Sequence, residues 1–201
     1  MLEIKSYKNI EVKTADEFIH AIINGFWSIS FPDEIRADID IELSNRIEED
    51  DLFLAKHLIT FKEHYLDNYL DKVNYLVSKN NKVGINLLAV HYYRNKDIDN
   101  YIKYTKIAME LGYAPAFRNM ALEYSQNSVN KDPAKMMYYL KQGTKYDYAP
   151  TFKMIADNYL VGYGCKVSYK FALYYFERAY ECNDLSVKST IEELKEVLKD
   201  E

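Results

Sequence analysis

Apolar and polar residues alternate along this chain with two different periods. In the C-terminal two thirds the period is helical. Phe117, Ala121 and Tyr124 recur at i, i+4 and i+7, as do Phe152, Ala156 and Tyr159. That spacing lays one apolar stripe along a helix. Ala114-Pro115 and Ala149-Pro150 stand ahead of these stripes, where a proline costs no helix hydrogen bond. Second helices are predicted to start at Asp97, Asp132 and Ser168, all residue types that cap helix N-termini. Gly112, Asp147 and Asn183 then follow; glycine, aspartate and asparagine all tolerate the left-handed backbone that closes a helix.

These signals recur in register. Ala121 follows Ala89 by 32 residues and Ala156 follows Ala121 by 35, while Tyr139 follows Tyr104 by 35 and Tyr175 follows Tyr139 by 36. A period of this size is that of a repeated helix pair. Residues 82–184 therefore read as three helix-pair repeats. Residues 48–81 read as a degenerate earlier copy, since Asp67-Asn68-Tyr69-Leu70 precedes Asp99-Asn100-Tyr101-Ile102 by 32 residues and Asn80 aligns with Gly112. Residues 185–201 read as a capping helix, with Val187, Ile191, Leu194 and Leu198 on one face and charges elsewhere.

The repeats resemble a known family. Residues 149–164, from Ala149-Pro150 to the Gly162-Tyr163-Gly164 loop, with Tyr169, Ala172, Tyr175, Phe176 and Ala179 after them, are similar to a Sel1-like repeat. Sel1-like repeats are relatives of the tetratricopeptide repeats. The glycine loop is missing from the first unit, and Gln126-Asn127-Ser128 replaces it in the second. The resemblance implies a mainly α protein, an α/α solenoid of helix pairs whose members mostly hold other proteins together.

Residues 1–47 follow the other period. Thr14-Ala15-Asp16-Glu17 is a capping box ahead of Phe18, Ile19, Ile22 and Ile23. Trp27, Ile29 and Phe31 alternate with serines, and Ile39, Ile41 and Leu43 alternate with Asp38, Asp40 and Glu42. Alternation of period two predicts strands. A small α/β segment is expected here.

Composition narrows the function. The chain has 201 residues, 48% of them hydrophobic and 28% charged, with a net charge of −5. Lys62, Lys72, Lys79 and Lys82 are interleaved with Glu63, Asp67 and Asp71, so no phosphate-binding basic patch is expected. The apolar runs are too short for a membrane span, and the N-terminus lacks a signal-peptide core. A cytoplasmic protein with Cys165 and Cys182 as free thiols is expected. Their separation of 17 residues also departs from the short cysteine spacing of disulfide-bridged Sel1-like proteins.

No catalytic constellation is evident. Asp38, Asp40 and Glu42 suggest a metal-dependent nuclease only weakly, because Ser44 stands where such a site needs a lysine. The four histidines never fall at i, i+4, the spacing of a helical zinc pair. No cofactor or metal is expected. The remaining candidates are polar positions beside the stripe of each first helix: Arg118 and Lys153, which align, and His91, Glu123 and Asn158, which align as well. On the concave side of a solenoid such a row, flanked by tyrosines, suits recognition of a protein or peptide. The expected function is a non-enzymatic adaptor or scaffold. The alternatives are a structural subunit of a homo-oligomer or larger complex and, behind it, a metal-dependent enzyme with its site in the N-terminal segment.

Overall fold

Among the described residues four helices end in the same hydrogen-bonded turn, each placing its closing residue in the left-handed region: Asn80 (φ 54°), Lys96 (φ 61°), Gly112 (φ 72°) and Asn183 (φ 67°). At Gly112 the amide donates to the Met109 carbonyl, and the next amide, of Tyr113, donates to that of Ala108. Asn80-Asn81, Lys96-Asp97 and Asn183-Asp184 repeat this pair of bonds. Two carbonyls left orphaned at each helix end are thereby satisfied.

The computed structural model describes residues 10–18, 29–30, 32–39 and 69–199. The chain divides into two units, Met1–Leu87 and Leu88–Glu201. The described helices are α1 (Tyr69–Ser78), α2 (Lys82–Arg94), α3 (Ile98–Glu110), α4 (Ala114–Glu123), α5 (Pro133–Gly143), α6 (Ala149–Val161), α7 (Tyr169–Glu181) and α8 (Lys188–Val197).

In the second unit each helix from α3 to α8 packs on the next, and α4 also packs on α6. This is the pattern of stacked helix pairs. Ala121 and Ala156 are fully buried. Their missing side-chain bulk lets neighbouring helices approach. One core cluster joins Ala121, Met136, Met137, Leu140 and Ile155, so it spans α4, α5 and α6. A second joins Phe152, Ala156, Phe176 and Ala179 to Val187, Ile191 and Leu194, which seats α8 as the cap.

The expected caps are in place. Asp97, Asp132 and Ser168 accept from the backbone amides of Asn100, Lys135 and Phe171. The bond to the Lys135 amide is the main cause holding the Asp132 carboxyl below its ordinary value of 3.8, and the bond from the Asn100 side chain does the same for Asp97. A group with a depressed folded-state pKa contributes stability above its unfolded pKa and loses it as pH falls through the folded value. The urea midpoint is therefore expected to drop as pH is lowered from neutrality to below 3.8, and Asp132→Asn should make that drop shallower.

Asp147 departs from expectation. It is not among the left-handed residues. The reason lies upstream: α5 stops at Gly143, where a Cβ would come within 2.9 Å of Phe117 Cβ, and the chain turns through Thr144 and Tyr146 instead. Asp147 is left to pair with Arg178 at 3.2 Å.

In the first unit, Gly84 of α2 lies against α1 so closely that a Cβ there would collide with Leu76 Cβ. The capping box forms: the Glu17 amide donates to Thr14 Oγ1 at 3.2 Å, and Glu17 Oε2 accepts from the Lys13 amide at 2.7 Å. The α/β segment expected over 1–47 is nevertheless not supported. Its described strands, β1 (Ile10–Glu11) and β2 (Ile29–Ser30), are a two-residue parallel pairing and no sheet layer. Where a strand through Asp38 and Ile39 was expected, Asp33–Ile35 form a 3-10 turn that continues as helix over 36–39. Pro32 followed by Asp33 and Glu34 is a helix-start signal, and it overrides the alternation. Ile41, Leu43 and all of residues 48–68, including Leu54, Ala55 and His57, lie outside the described residues.

Candidate functional site

Each repeat of the second unit is built around a pair of parallel tyrosine rings, one from each helix. Tyr92 stacks on Tyr104 (5.4 Å between ring centres, 10° between planes), Tyr124 on Tyr139 (5.6 Å, 13°) and Tyr159 on Tyr175 (5.8 Å, 9°). Offset stacking of this kind adds to the area buried. A lysine ammonium sits over each pair: Lys103 over Tyr104, Lys135 over Tyr124 and Lys141 over Tyr159, at 5.3, 5.3 and 6.0 Å from the ring centre. The first-helix tyrosine has a second task. Its carbonyl accepts the amide of the residue that caps the second helix: Asp97 to Tyr92, Asp132 to Tyr124 and Ser168 to Tyr159. That bond holds although the intervening loops differ in length.

The predicted partner-binding residues separate into two groups. Glu123 and Asn158 are buried, at 5% and 8% exposure. Glu123 Oε1 accepts from Asn130 Nδ2 at 2.7 Å, tying the loop after α4 to the helix. Asn158 Nδ2 donates to the Met154 carbonyl at 2.6 Å, and its own carbonyl accepts from the Gly162 and Tyr163 amides. His91, at the equivalent position, lies 2.9 Å from Asn95 Nδ2 across the tight turn after α2. This aligned row holds loops in place.

Arg118 and Lys153 are different. Both are partly exposed, at equivalent places on α4 and α6. Arg118 acts electrostatically on the hydroxyls of Tyr101 and Tyr148, lowering pKa values that burial raises. Tyr101 is also pushed up by the Glu123 carboxylate and donates to the Asn119 carbonyl at 2.6 Å. Burial pushes Tyr113, in the field of Tyr148, up to about 12. These hydroxyls therefore keep their protons at neutral pH. Lys153 Nζ is 3.2 Å from Ser186 Oγ and opposes the desolvation that raises the Asp157 carboxyl. Tyr101 is buried, at 4% exposure, while Tyr113 and Tyr148 are partly exposed.

Cys165 and Cys182 are unpaired thiols, both with pKa values raised mainly by burial. Cys165 Sγ lies 3.4 Å from the Asn158 carbonyl, inside the glycine loop. Among the described residues no cluster of His, Cys, Asp and Glu could hold a metal ion, and no helix is long and apolar enough to cross a membrane. Asp38 is exposed on a helical turn, while Asp40, Glu42 and Ser44 lie outside the described residues. A groove of about 440 Å³ between α7 and α8 sets Glu177, Glu181 and Glu192 against Lys188 and Lys195. Lys195 pairs with Glu177 at 2.7 Å, and Glu181 with Arg178.

One feature escaped the repeat alignment. Tyr138 and Tyr174, each next to a stacked tyrosine, are 57% and 53% exposed. Their separation of 36 residues, equal to that of Tyr139 and Tyr175, was the available signal.

Solved structures that share this fold include two repeat proteins. The Sel1 repeat protein from Oxalobacter formigenes matches with a TM-score of 0.53 at 17% identity, over 62% of this chain and 97% of that one. The c5321 protective antigen of uropathogenic Escherichia coli strains, which displays an SLR fold, matches with a TM-score of 0.55 at 16% identity, over 71% of this chain and 33% of that one. This chain thus corresponds to a third of the antigen's length. No family model and no curated protein matches it.

Proposed function

We propose that this chain, whose fold is that of the Sel1-like repeat solenoids, is a non-enzymatic scaffold holding a partner protein or peptide against the first helices of its pairs. The observation that carries the reading is the equivalent placing of Arg118 and Lys153 on α4 and α6, two first helices packed on one another. A cation repeated at the helix-pair spacing, with protonated phenols beside the first of them, gives a segment that crosses both helices the same kind of anchor twice. The charged nitrogens offer strong hydrogen bonds to carboxylates or carbonyls, and the partly exposed Tyr113 and Tyr148 offer contact area with little entropy to lose. Glu123 and Asn158 shape this face from below by fixing the loops, and no direct contact with a partner is assigned to them.

The test uses the full chain as bait in extract from its native source. Wild-type protein is expected to retain a specific partner identifiable by mass spectrometry, and Arg118→Glu with Lys153→Glu should abolish that retention while the circular dichroism spectrum stays unchanged. Retention of the same partner by the double variant would reject this face.

A second reading, a subunit of a homo-oligomer, is favoured by apolar side chains exposed toward the C-terminal end: Leu185 at 68% and Val197 at 49%. Light scattering separates the two readings, since a clean monomer removes the homo-oligomer.

A further inference from the structure

The second helices carry a surface that the scaffold reading leaves unused. Along α5 the exposed side chains are Ala134, Lys135, Tyr138, Lys141 and Gln142, with Lys131 just before the helix and Lys145 just after it. None of these is acidic. The nearby carboxylate of Asp132 is occupied as the α5 cap and pairs with Lys135 at 3.3 Å. On α7 the exposed residues of the first two turns are Tyr169, Lys170, Phe171 and Tyr174. Among the described residues Lys141 and Lys170 form no ion pair. The alternation of charges along residues 62–82 does not extend to this part of the chain.

The two helices present these groups on common ground. Tyr139, Tyr159 and Tyr175 all pack against one core cluster, that of Met136, Leu140 and Ile155. Tyr138 meets Tyr139 edge-on at 5.2 Å, and Tyr174 meets Tyr175 edge-on at 5.1 Å. Phe171, 56% exposed, leans on Tyr159 at 5.2 Å. Lys141 reaches from α5 over that same Tyr159 ring. Three large aromatic rings are therefore held half-exposed by rigid stacks, beside the ammonium groups of Lys141 and Lys170, which have no carboxylate partner among the described residues, and that of Lys135, which pairs with Asp132 at the helix start. Exposed aromatic surface rimmed by charge marks a docking site, and unneutralised cations select a partner of opposite sign and speed its approach.

We infer that the α5–α7 surface binds an acidic peptide segment bearing apolar side chains, with Lys135, Lys141 and Lys170 meeting its carboxylates and Tyr138, Phe171 and Tyr174 its apolar groups. The site lies on second helices and does not depend on the face of Arg118 and Lys153.

The probe is a fluorescein-labelled peptide of repeated Glu-Phe-Asp-Leu blocks, followed by fluorescence anisotropy at low salt with the full chain. Binding to wild type is expected, weakening as salt is raised. Lys135→Glu, Lys141→Glu and Lys170→Glu combined should weaken it by roughly tenfold or more, about 1.4 kcal/mol. The milder set Lys135→Gln, Lys141→Gln and Lys170→Gln should give a smaller loss, which guards against misfolding of the reversal variant. Tyr138→Ser with Tyr174→Ser should also weaken it, and Arg118→Glu with Lys153→Glu should leave it unchanged. No binding to wild type, equal binding of the triple reversal, or loss only in the Arg118 and Lys153 variant would overturn the assignment. So would equally tight binding of an oligothymidylate, since the surface would then be reading phosphate. Light scattering that showed a dimer dissociated by the triple reversal would overturn it too, by making a second copy the occupant.

Discussion

Gly164→Ala is expected to destabilise the second unit by about 3 kcal/mol. Two costs add. Gly164 sits at φ 75°, where any other L-residue loses about 1–2 kcal/mol. A Cβ there would also drive into the Pro133 carbonyl oxygen and come within 2.9 Å of Met137 Cγ. Backbone cannot swing aside as a side-chain tip can, so the loop or the start of α5 must shift, at about 1–3 kcal/mol. Gly112→Ala is the control. Its φ of 72° carries the same conformational cost, but its Cβ would meet only the Tyr146 ring, at 3.3 Å. A loss near 1 kcal/mol is expected there. Chemical denaturation reads both. Equal losses would show that the contact of the glycine loop with α5 contributes nothing. In the same experiment Cys165, one residue away, should become more reactive toward a thiol reagent in Gly164→Ala alone.

Leu140→Ala should cost as much by a different route. Leu140 is fully buried in the cluster shared by α4, α5 and α6. Removing its side chain loses the transfer energy of the missing carbons and leaves a cavity that helices fixed by their neighbours cannot close, about 2–5 kcal/mol in all. In a stacked array each pair touches only the pairs beside it. The damage should therefore show first as loss of coupling between the second and third pairs. Hydrogen exchange is expected to quicken in α5 and α6 before it does in α8, whose anchors belong to the other cluster. Leu122→Ala, at a position 38% exposed, should stay within about 0.5 kcal/mol of wild type. Uniform acceleration across the unit would contradict this segmental picture.

The parts of the fold that were legible in the sequence depend on neighbours within a turn or two. Asp97, Asp132 and Ser168 cap because a short oxygen acceptor lies three residues ahead of a free amide, and Gly112 and Asn183 close helices because of their own backbone freedom. Asp147 shows where that logic ends: the helix has already stopped at Gly143 with Thr144 as its cap, so the freedom of Asp147 goes unused. The N-terminal segment shows a contest between two local signals, won by Pro32 and the acidic turn after it. The site was harder to read. Glu123 and Asn158 border the apolar stripe on a helical wheel and look exposed there. They are covered by loops folded back onto them, through Asn130 in one repeat and through Tyr163 and Cys165 in the next. Helical period carries no information about such loops. Arg118 and Lys153, earlier on α4 and α6, stay partly exposed, although Ser186 of the turn after α7 reaches the Lys153 ammonium.

The stacked tyrosines and the division into two units have a spectroscopic consequence. The single tryptophan, Trp27, belongs to the first unit, and Leu88–Glu201 contains none. Indole fluorescence excited at the red edge of absorption therefore reports on the first unit alone. The near-ultraviolet circular dichroism of the second unit comes from phenol rings, and the three parallel pairs are rigid chiral couples that should dominate it. Following both signals through one denaturation experiment would separate the melting of the units without a label. Replacing one tyrosine pair at a time would show which repeat opens first.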